Sequence, residues 1–206
     1  MKIQATYKVC RRLGAGVFDK CQTQKYTLSE ARRGKTMRGG RRRNVTDYGK
    51  QLLEKQRVRF AYGVSERQLR RYIEEANRAA TLGTDPTVRL MEQLEMRLDN
   101  VVYRLGLAAS RRAARQLVTH GHVHVNGKRT DIPSRQLREK DTVSVRERTQ
   151  KLPIMDRMKE TMDTASLPAW ISFDKKKLEG TVTARPKVEV TEMPGNVGAI
   201  LEYYSR

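Results

Sequence analysis

Arg111, Arg112 and Arg115 stand close together in the run SRRAARQLVTHG, directly behind Ser110. Serine in that place starts a helix, because its hydroxyl takes up an unpaired N–H of the first turn. Three cations at the positive end of a helix macrodipole destabilise it unless an anion sits among them. Phosphate suits such a place, and the planar fork of arginine grips it with two hydrogen bonds at once. The expected chemistry is therefore adhesion to a phosphate backbone. Arg111, Arg112 and Arg115 lead it, with Arg97, Gln116, His120 and Lys128 as second-rank contacts.

The other reactive residue types point to less. His120, His122 and His124 alternate, but no carboxylate or thiolate stands beside them at ligand spacing, so no metal is expected. Cys10 and Cys21 are the only cysteines, too few for a four-thiolate zinc site. A pair of free thiols in a reducing compartment is the expectation for them. Asp99, within LDNVVYR, reads as an ion-pair partner for a nearby arginine such as Arg104 or Arg112, ahead of general-base chemistry. The chain has no Walker-type loop, no Gly-x-Ser-x-Gly elbow and no His-Glu-x-x-His helix. No enzymatic activity, cofactor or small-molecule substrate is expected.

Net charge agrees with adhesion. The 206 residues carry 43 Lys and Arg against 23 Asp and Glu, a formal charge of +20. Self-repulsion of that size destabilises a compact state, so a polyanion is the natural partner. Nucleic acid comes ahead of an anionic membrane. No apolar run approaches the roughly 20 residues of a spanning helix. No apolar segment follows Lys2, so no signal peptide is expected. Residues 1–45 hold thirteen cations against Asp19 and Glu30, with apolar residues scattered. They read as a basic arm with little core of its own, ordered by what it binds. Gly39 and Gly40 precede Arg41, Arg42 and Arg43, and glycine lets a backbone approach a phosphate closely.

The elements that must position these groups are legible from caps and periods. Thr46 caps a helix to about Phe60, ended by Gly63. Ser65 with Gln68 forms a capping box. The helix after it has the stripe Leu69, Tyr72, Ile73, Ala76 and Ala80, and Arg67, Arg70, Arg71 and Arg78 on its other face. Asp85-Pro86 starts a helix that buries Met91, Leu94, Leu98, Val101, Val102 and Leu105 and ends at Gly106. Ser110 starts the arginine-bearing helix, which closes at Gly121 and buries Ala113, Ala114, Leu117 and Val118. Val123 and Val125 alternate with histidines as a strand, Asn126-Gly127 is a hairpin turn, and Thr142–Arg146 alternates again. Pro153–Thr164 reads as a short methionine-rich helix. Trp170, Ile171 and Phe173 form an aromatic patch. A second hairpin is expected around Arg185-Pro186, between the Gly180 and Lys187 runs. Asn196 caps a last helix through Leu201, Tyr203 and Tyr204.

The run RLDNVVYRLGLAASRRAARQLVTHGHVHVNGKRTDIPS closely resembles the RNA-binding module of the bacterial small-subunit ribosomal protein S-four family. The flanks TDYGKQLLEKQRVRFAYGVSERQLRRYIEEA and PAWISFDKKKLEGTVTARP, with the terminal LEYYSR, resemble the same family. The module alone also occurs beside RNA-modifying and other domains, and the flanks separate those cases. The resemblance implies an α+β fold: an α-helical domain with an inserted small α/β module, two helices followed by a short antiparallel sheet, and a basic N-terminal arm. The boundaries implied are 1–45 for the arm, 46–92 for the helical domain completed by 176–206, and 93–175 for the module with its following segment. It implies a structural component of the small ribosomal subunit that binds 16S rRNA early and nucleates the 5′ domain. The same component helps to form the region where messenger RNA enters and supports decoding accuracy. Implied partners are small-subunit rRNA, messenger RNA and the S-five and S-three proteins, with no membrane. The implied location is cytoplasmic and ribosome-bound, or the equivalent compartment of an organelle. Arg41, Arg42 and Arg43 map to the family's basic stretch near incoming messenger, and Arg67, Arg70 and Arg71 extend the RNA footprint. A free RNA-binding repressor and an RNA-modification protein built on the same module are the alternatives. Many members have four cysteines in a zinc pattern near the N-terminus, and this chain departs from them with two.

Overall fold

Hydroxyl and amide side chains start the helices where the sequence places caps. Thr46 accepts from Gly49 N at 3.3 Å, Ser65 from Gln68 N at 3.2 Å, Ser110 from Ala113 N at 3.2 Å and Asn196 from Ala199 N at 3.1 Å. The computed structural model describes residues 6–34, 46–150, 167–175, 177–186 and 193–205. The expected helix at Pro153–Thr164 and the basic run Arg41, Arg42 and Arg43 lie outside them.

In chain order the elements are α1 (Thr6–Leu13), two 3₁₀ turns (Ala15–Val17 and Asp19–Gln22), α2 (Gln24–Gly34), α3 (Asp47–Ala61), α4 (Glu66–Ala80), α5 (Pro86–Glu95), α6 (Leu98–Arg104) and α7 (Arg111–Thr119). Then come β1 (Val123–Val125), β2 (Lys128–Thr130), β3 (Thr142–Val145), a single helical turn α8 (Glu147–Gln150), β4 (Ile171–Asp174), β5 (Glu179–Val182) and α9 (Val197–Tyr204). The fold is α+β. Its contacts divide it into two units, Met1–Thr87 with Glu189–Arg206, and Val88–Val188. The boundaries expected from the sequence lie at 92/93 and 175/176.

The first unit is helical. Within the expected arm, residues 6–34 form helices around a small core of their own. After α1, Gly14 at φ 103° reverses the chain and its N–H donates to Cys10 O at 2.7 Å. That turn brings Cys21 against Cys10, and the two form a disulfide, not the free thiols expected. Both are 1% exposed and pack with Tyr26, flanked by Tyr7 and Phe18. The elements involved are too short to show a period, so this small core is invisible to pattern reading. Arg57 on α3 donates to Leu13 O at 2.5 Å and ties α1 to α3.

Helix α9 packs on α3 through a polar cluster. Lys55, itself buried, reaches Glu66 at 2.7 Å, Arg59 reaches the other Glu66 oxygen at 2.9 Å, and the Tyr204 hydroxyl donates to Glu66 at 2.5 Å. Burial raises the Glu66 pKa, but hydrogen bonds from Lys55, Tyr204 and Arg59 outweigh it and hold the carboxyl below its usual value. Burial, followed by the hydrogen bond and charge of Glu66, pushes the Tyr204 hydroxyl far above its ordinary value. A depressed carboxyl stabilises the fold above its unfolded pKa and loses that contribution as pH falls through the folded one. A raised phenol contributes fully below its unfolded pKa and loses the contribution as pH rises past it. Stability is thus expected to fall below the carboxylate range through Glu66 and above about pH 10 through Tyr204. Thermal melts across pH check this: Glu66→Gln flattens the acid limb, and an unchanged acid limb would contradict the assignment.

The second unit holds a five-stranded antiparallel sheet in the order β2-β1-β3-β5-β4. Asn126 and Gly127 turn the first hairpin at φ 52° and 75°, the left-handed pair that such two-residue turns require. The sheet's inner face carries Val123, Val125, Val143, Val145, Ile171 and Val182. It shares one core with Leu98, Val101, Val102 and Leu105 of the α6 segment and Ala114 and Val118 of α7. The second hairpin differs from expectation. Residues 179–182 pair with 171–174, ahead of Arg185-Pro186, and 187–190 lie outside the described residues. Trp170 and Ile171 pack in this core, so the aromatic patch starts a strand of the same sheet.

The long helix expected from Pro86 to Gly106 is broken into α5 and α6. Arg97 leaves helical geometry at φ −68°, ψ 137° and bridges Gln136. Leu98 N donates to Arg135 O at 2.9 Å and Asp99 N to Pro133 O at 3.1 Å. The loop after β2 therefore satisfies the first N–H groups of α6, as a helix start demands.

Candidate nucleic-acid interface

Two acids lie in the apolar interior at the base of the arginine-rich helix. Glu95 ends α5 and Asp99 opens α6, at 0% and 3% exposure. A buried carboxylate persists only when it is paired and hydrogen-bonded. Asp99 accepts from Nε and Nη2 of Arg97, at 3.0 and 2.9 Å, and also from the Nε of Arg115 at 2.9 Å. Glu95 accepts from Nε and Nη2 of Arg104, at 2.9 and 3.0 Å, and from the amide of Asn100 at 2.9 Å. The Asn100 carbonyl oxygen then accepts from Arg111 Nε at 2.8 Å. The Arg111 guanidinium lies 4.5 Å from the Tyr103 ring centroid, within cation–π range.

This network changes the sequence reading in three ways. Arg97 is 3% exposed and belongs inside the network, so it does not present itself for contact. Asp99 pairs with arginines as expected, but the partners are Arg97 and Arg115, while Arg104 goes to Glu95. The anion required among the cations at the start of α7 is supplied in part from within, by Asp99. Four guanidinium groups share two carboxylates directly or through Asn100, so the cluster keeps a surplus of positive charge.

Arg112 and Gln116 are exposed one helical turn apart on α7, and exposed His120 caps its end. Lys128 and Arg129 are exposed on β2. The Arg129 guanidinium lies over Gly121, where an added Cβ would come within 2.3 Å of its Nε. Only glycine, here at φ 71°, lets that side chain cross the end of α7. Arg129 was missed by the sequence reading, and the β2 alternation beside a glycine is the signal that could have found it. Glu95 and Asn100 were missed too. Polar residues on the buried face of LEMRLDNVV are the mark they leave in the sequence.

In the helical unit, Arg67, Arg70 and Arg71 are exposed on α4 and line one open depression with Ser65, Gln68 and Glu74. Arg70 pairs with Glu74 at 3.2 Å and Arg71 with Glu75 at 2.9 Å, both exposed i,i+4 pairs of small energetic value. Among the described residues no group of three or more His, Cys, Asp or Glu could hold a metal ion, and no helix is long and apolar enough to cross a membrane.

The chain matches two family models, the "Ribosomal protein S4/S9 N-terminal domain" over residues 2–95 and the "S4 domain" over residues 96–143. It is 46% identical over 200 residues to a protein of a Sulfurihydrogenibium species named "Small ribosomal subunit protein uS4", covering 96% of this chain and 95% of the relative. The protein of that name from Thermotoga maritima is 41% identical over 203 residues, covering 97% and 96%. A Clostridium botulinum relative named "Small ribosomal subunit protein uS4A" is 42% identical over 205 residues, covering 98% and 97%.

Proposed function

Because this chain belongs to the uS4 family of small ribosomal subunit proteins, we propose that it is a structural component of that subunit which grips folded ribosomal RNA through the arginine face of α7. One observation carries the reading: an internally hydrogen-bonded cluster of guanidinium groups with a surplus of positive charge. A-form RNA hides its base edges, so such a protein reads phosphates, 2′-hydroxyls and shape. Arg111, Arg112 and Arg115 hold one backbone path, with Gln116, His120 and Lys128 beside them. Arg67, Arg70 and Arg71 form a second contact on the helical unit, and Arg41, Arg42 and Arg43 meet messenger RNA where it enters the subunit. The protein binds early, at the 5′ domain of 16S rRNA, beside the S-five and S-three proteins, and supports decoding accuracy. It works bound to the ribosome in the cytoplasm and catalyses no reaction.

Chemical footprinting on bare small-subunit rRNA tests this. Protection is expected at one multi-helix junction of the 5′ domain, and the chain is expected to sediment with small subunits. Protection scattered over the whole RNA, or a chain that stays in the supernatant as a free regulator would, overturns the reading.

A further inference from the structure

Glu95 and Asp99 have a role that stability alone does not explain. A buried ion pair is no more stabilising than a well-packed apolar pair of similar volume, yet the α5–α6 junction buries two acids four residues apart. Each acid pairs both of its oxygens with one arginine, Arg104 or Arg97, and one of those oxygens accepts a second donor. Asp99 Oδ2 pins Arg115 on its Nε edge. Glu95 Oε2 holds the Asn100 amide, whose carbonyl oxygen pins Arg111 on its Nε edge. Tyr103 supports the Arg111 guanidinium from its face. Arg115 still has 26% of its side chain exposed. Two of the three α7 arginines, Arg111 and Arg115, are thereby held in place before any ligand arrives.

Resting on the RNA-binding reading above, we infer that Asp99, and Glu95 acting through Asn100, are positioning residues that preset Arg115 and Arg111 for phosphate. Ordering one long side chain at an interface otherwise weakens binding by roughly twofold to tenfold. Two arginines ordered in advance remove that penalty twice. The acids therefore strengthen binding to a polyanion although they are themselves negative. Simple electrostatics gives the opposite sign.

The opposition of signs makes the test. Asp99→Asn raises the net charge by one, so attraction without positioning predicts tighter binding to bare small-subunit rRNA. Positioning predicts binding weaker by about tenfold. The single variant leaves Arg97 buried without its counter-ion, which endangers folding. The double variant Arg97→Met with Asp99→Asn buries no unpaired charge and leaves the net charge unchanged, and it is the deciding one. Its melting curve and its affinity for heparin, a sulfated polyanion without the phosphate spacing of folded RNA, are measured in parallel. A folded double variant that binds rRNA about tenfold more weakly and heparin as well as wild type supports the inference. Unchanged or tighter rRNA binding by the folded double variant overturns it and leaves the RNA-binding reading standing. A wild-type chain that does not prefer rRNA to heparin overturns both.

Discussion

Reversing Arg112 to glutamate weakens binding to small-subunit rRNA far more than reversing Arg78, although both side chains are exposed on helices and both changes alter the net charge equally. Each phosphate that a cation neutralises contributes roughly 0.7–0.9 to the slope of log K against log salt. A triple reversal of Arg111, Arg112 and Arg115 is expected to lower affinity by roughly a hundredfold to a thousandfold near 0.1 M salt and to flatten the slope by about two to three units. Arg111 and Arg115 also brace α7 against α6, so their reversal disturbs structure as well as charge. Arg112 is exposed, and its single reversal is read beside a melting curve that shows the variant folded. Titrations at several salt concentrations decide the matter: equal losses at Arg112 and Arg78, or a slope unmoved by the triple reversal, place the contact face elsewhere.

The second large effect concerns the core that carries α7. Gly180 lies on the inner face of β5, opposite Val143 and Phe173, and an added Cβ would come 2.4 Å from Leu105 Cδ2. Leu105 is 1% exposed and belongs to the core shared by sheet and helices. Leu105→Ala is expected to cost about 2–5 kcal/mol through lost burial and the cavity it leaves. Gly180→Ala is expected to cost about 1–3 kcal/mol by overpacking. The double variant loses less than the sum, because the new methyl group enters the space the leucine vacated. Urea denaturation of the four proteins tests this, and strict additivity would show that the two sites do not share that space.

Local chemistry was readable ahead of the fold. The four caps at Thr46, Ser65, Ser110 and Asn196 each accept the predicted kind of bond, because a cap needs only its own helix. The stripe of α4 is buried at Leu69, Tyr72, Ile73 and Ala76, because a 3.6-residue period encodes one face. The Asn126-Gly127 turn follows from which residues tolerate positive φ. Arg112, Gln116 and His120 are exposed, as their place opposite the apolar face of α7 requires.

What sequence alone determined here is the starts of the capped helices α3, α4, α7 and α9, the first hairpin turn, and the sign of the charge, since each depends on neighbours a few residues away. Tertiary structure decided which arginines face outward and which are spent internally. Arg97 is spent on Asp99 because the loop after β2 interrupts the helix there, and Arg135 O and Pro133 O lie in that loop. It also decided that Cys10 meets Cys21, and that β4 and β5 extend the sheet begun by β1, β2 and β3. Such pairings join residues far apart along the chain, and no period or cap records which distant partner will arrive.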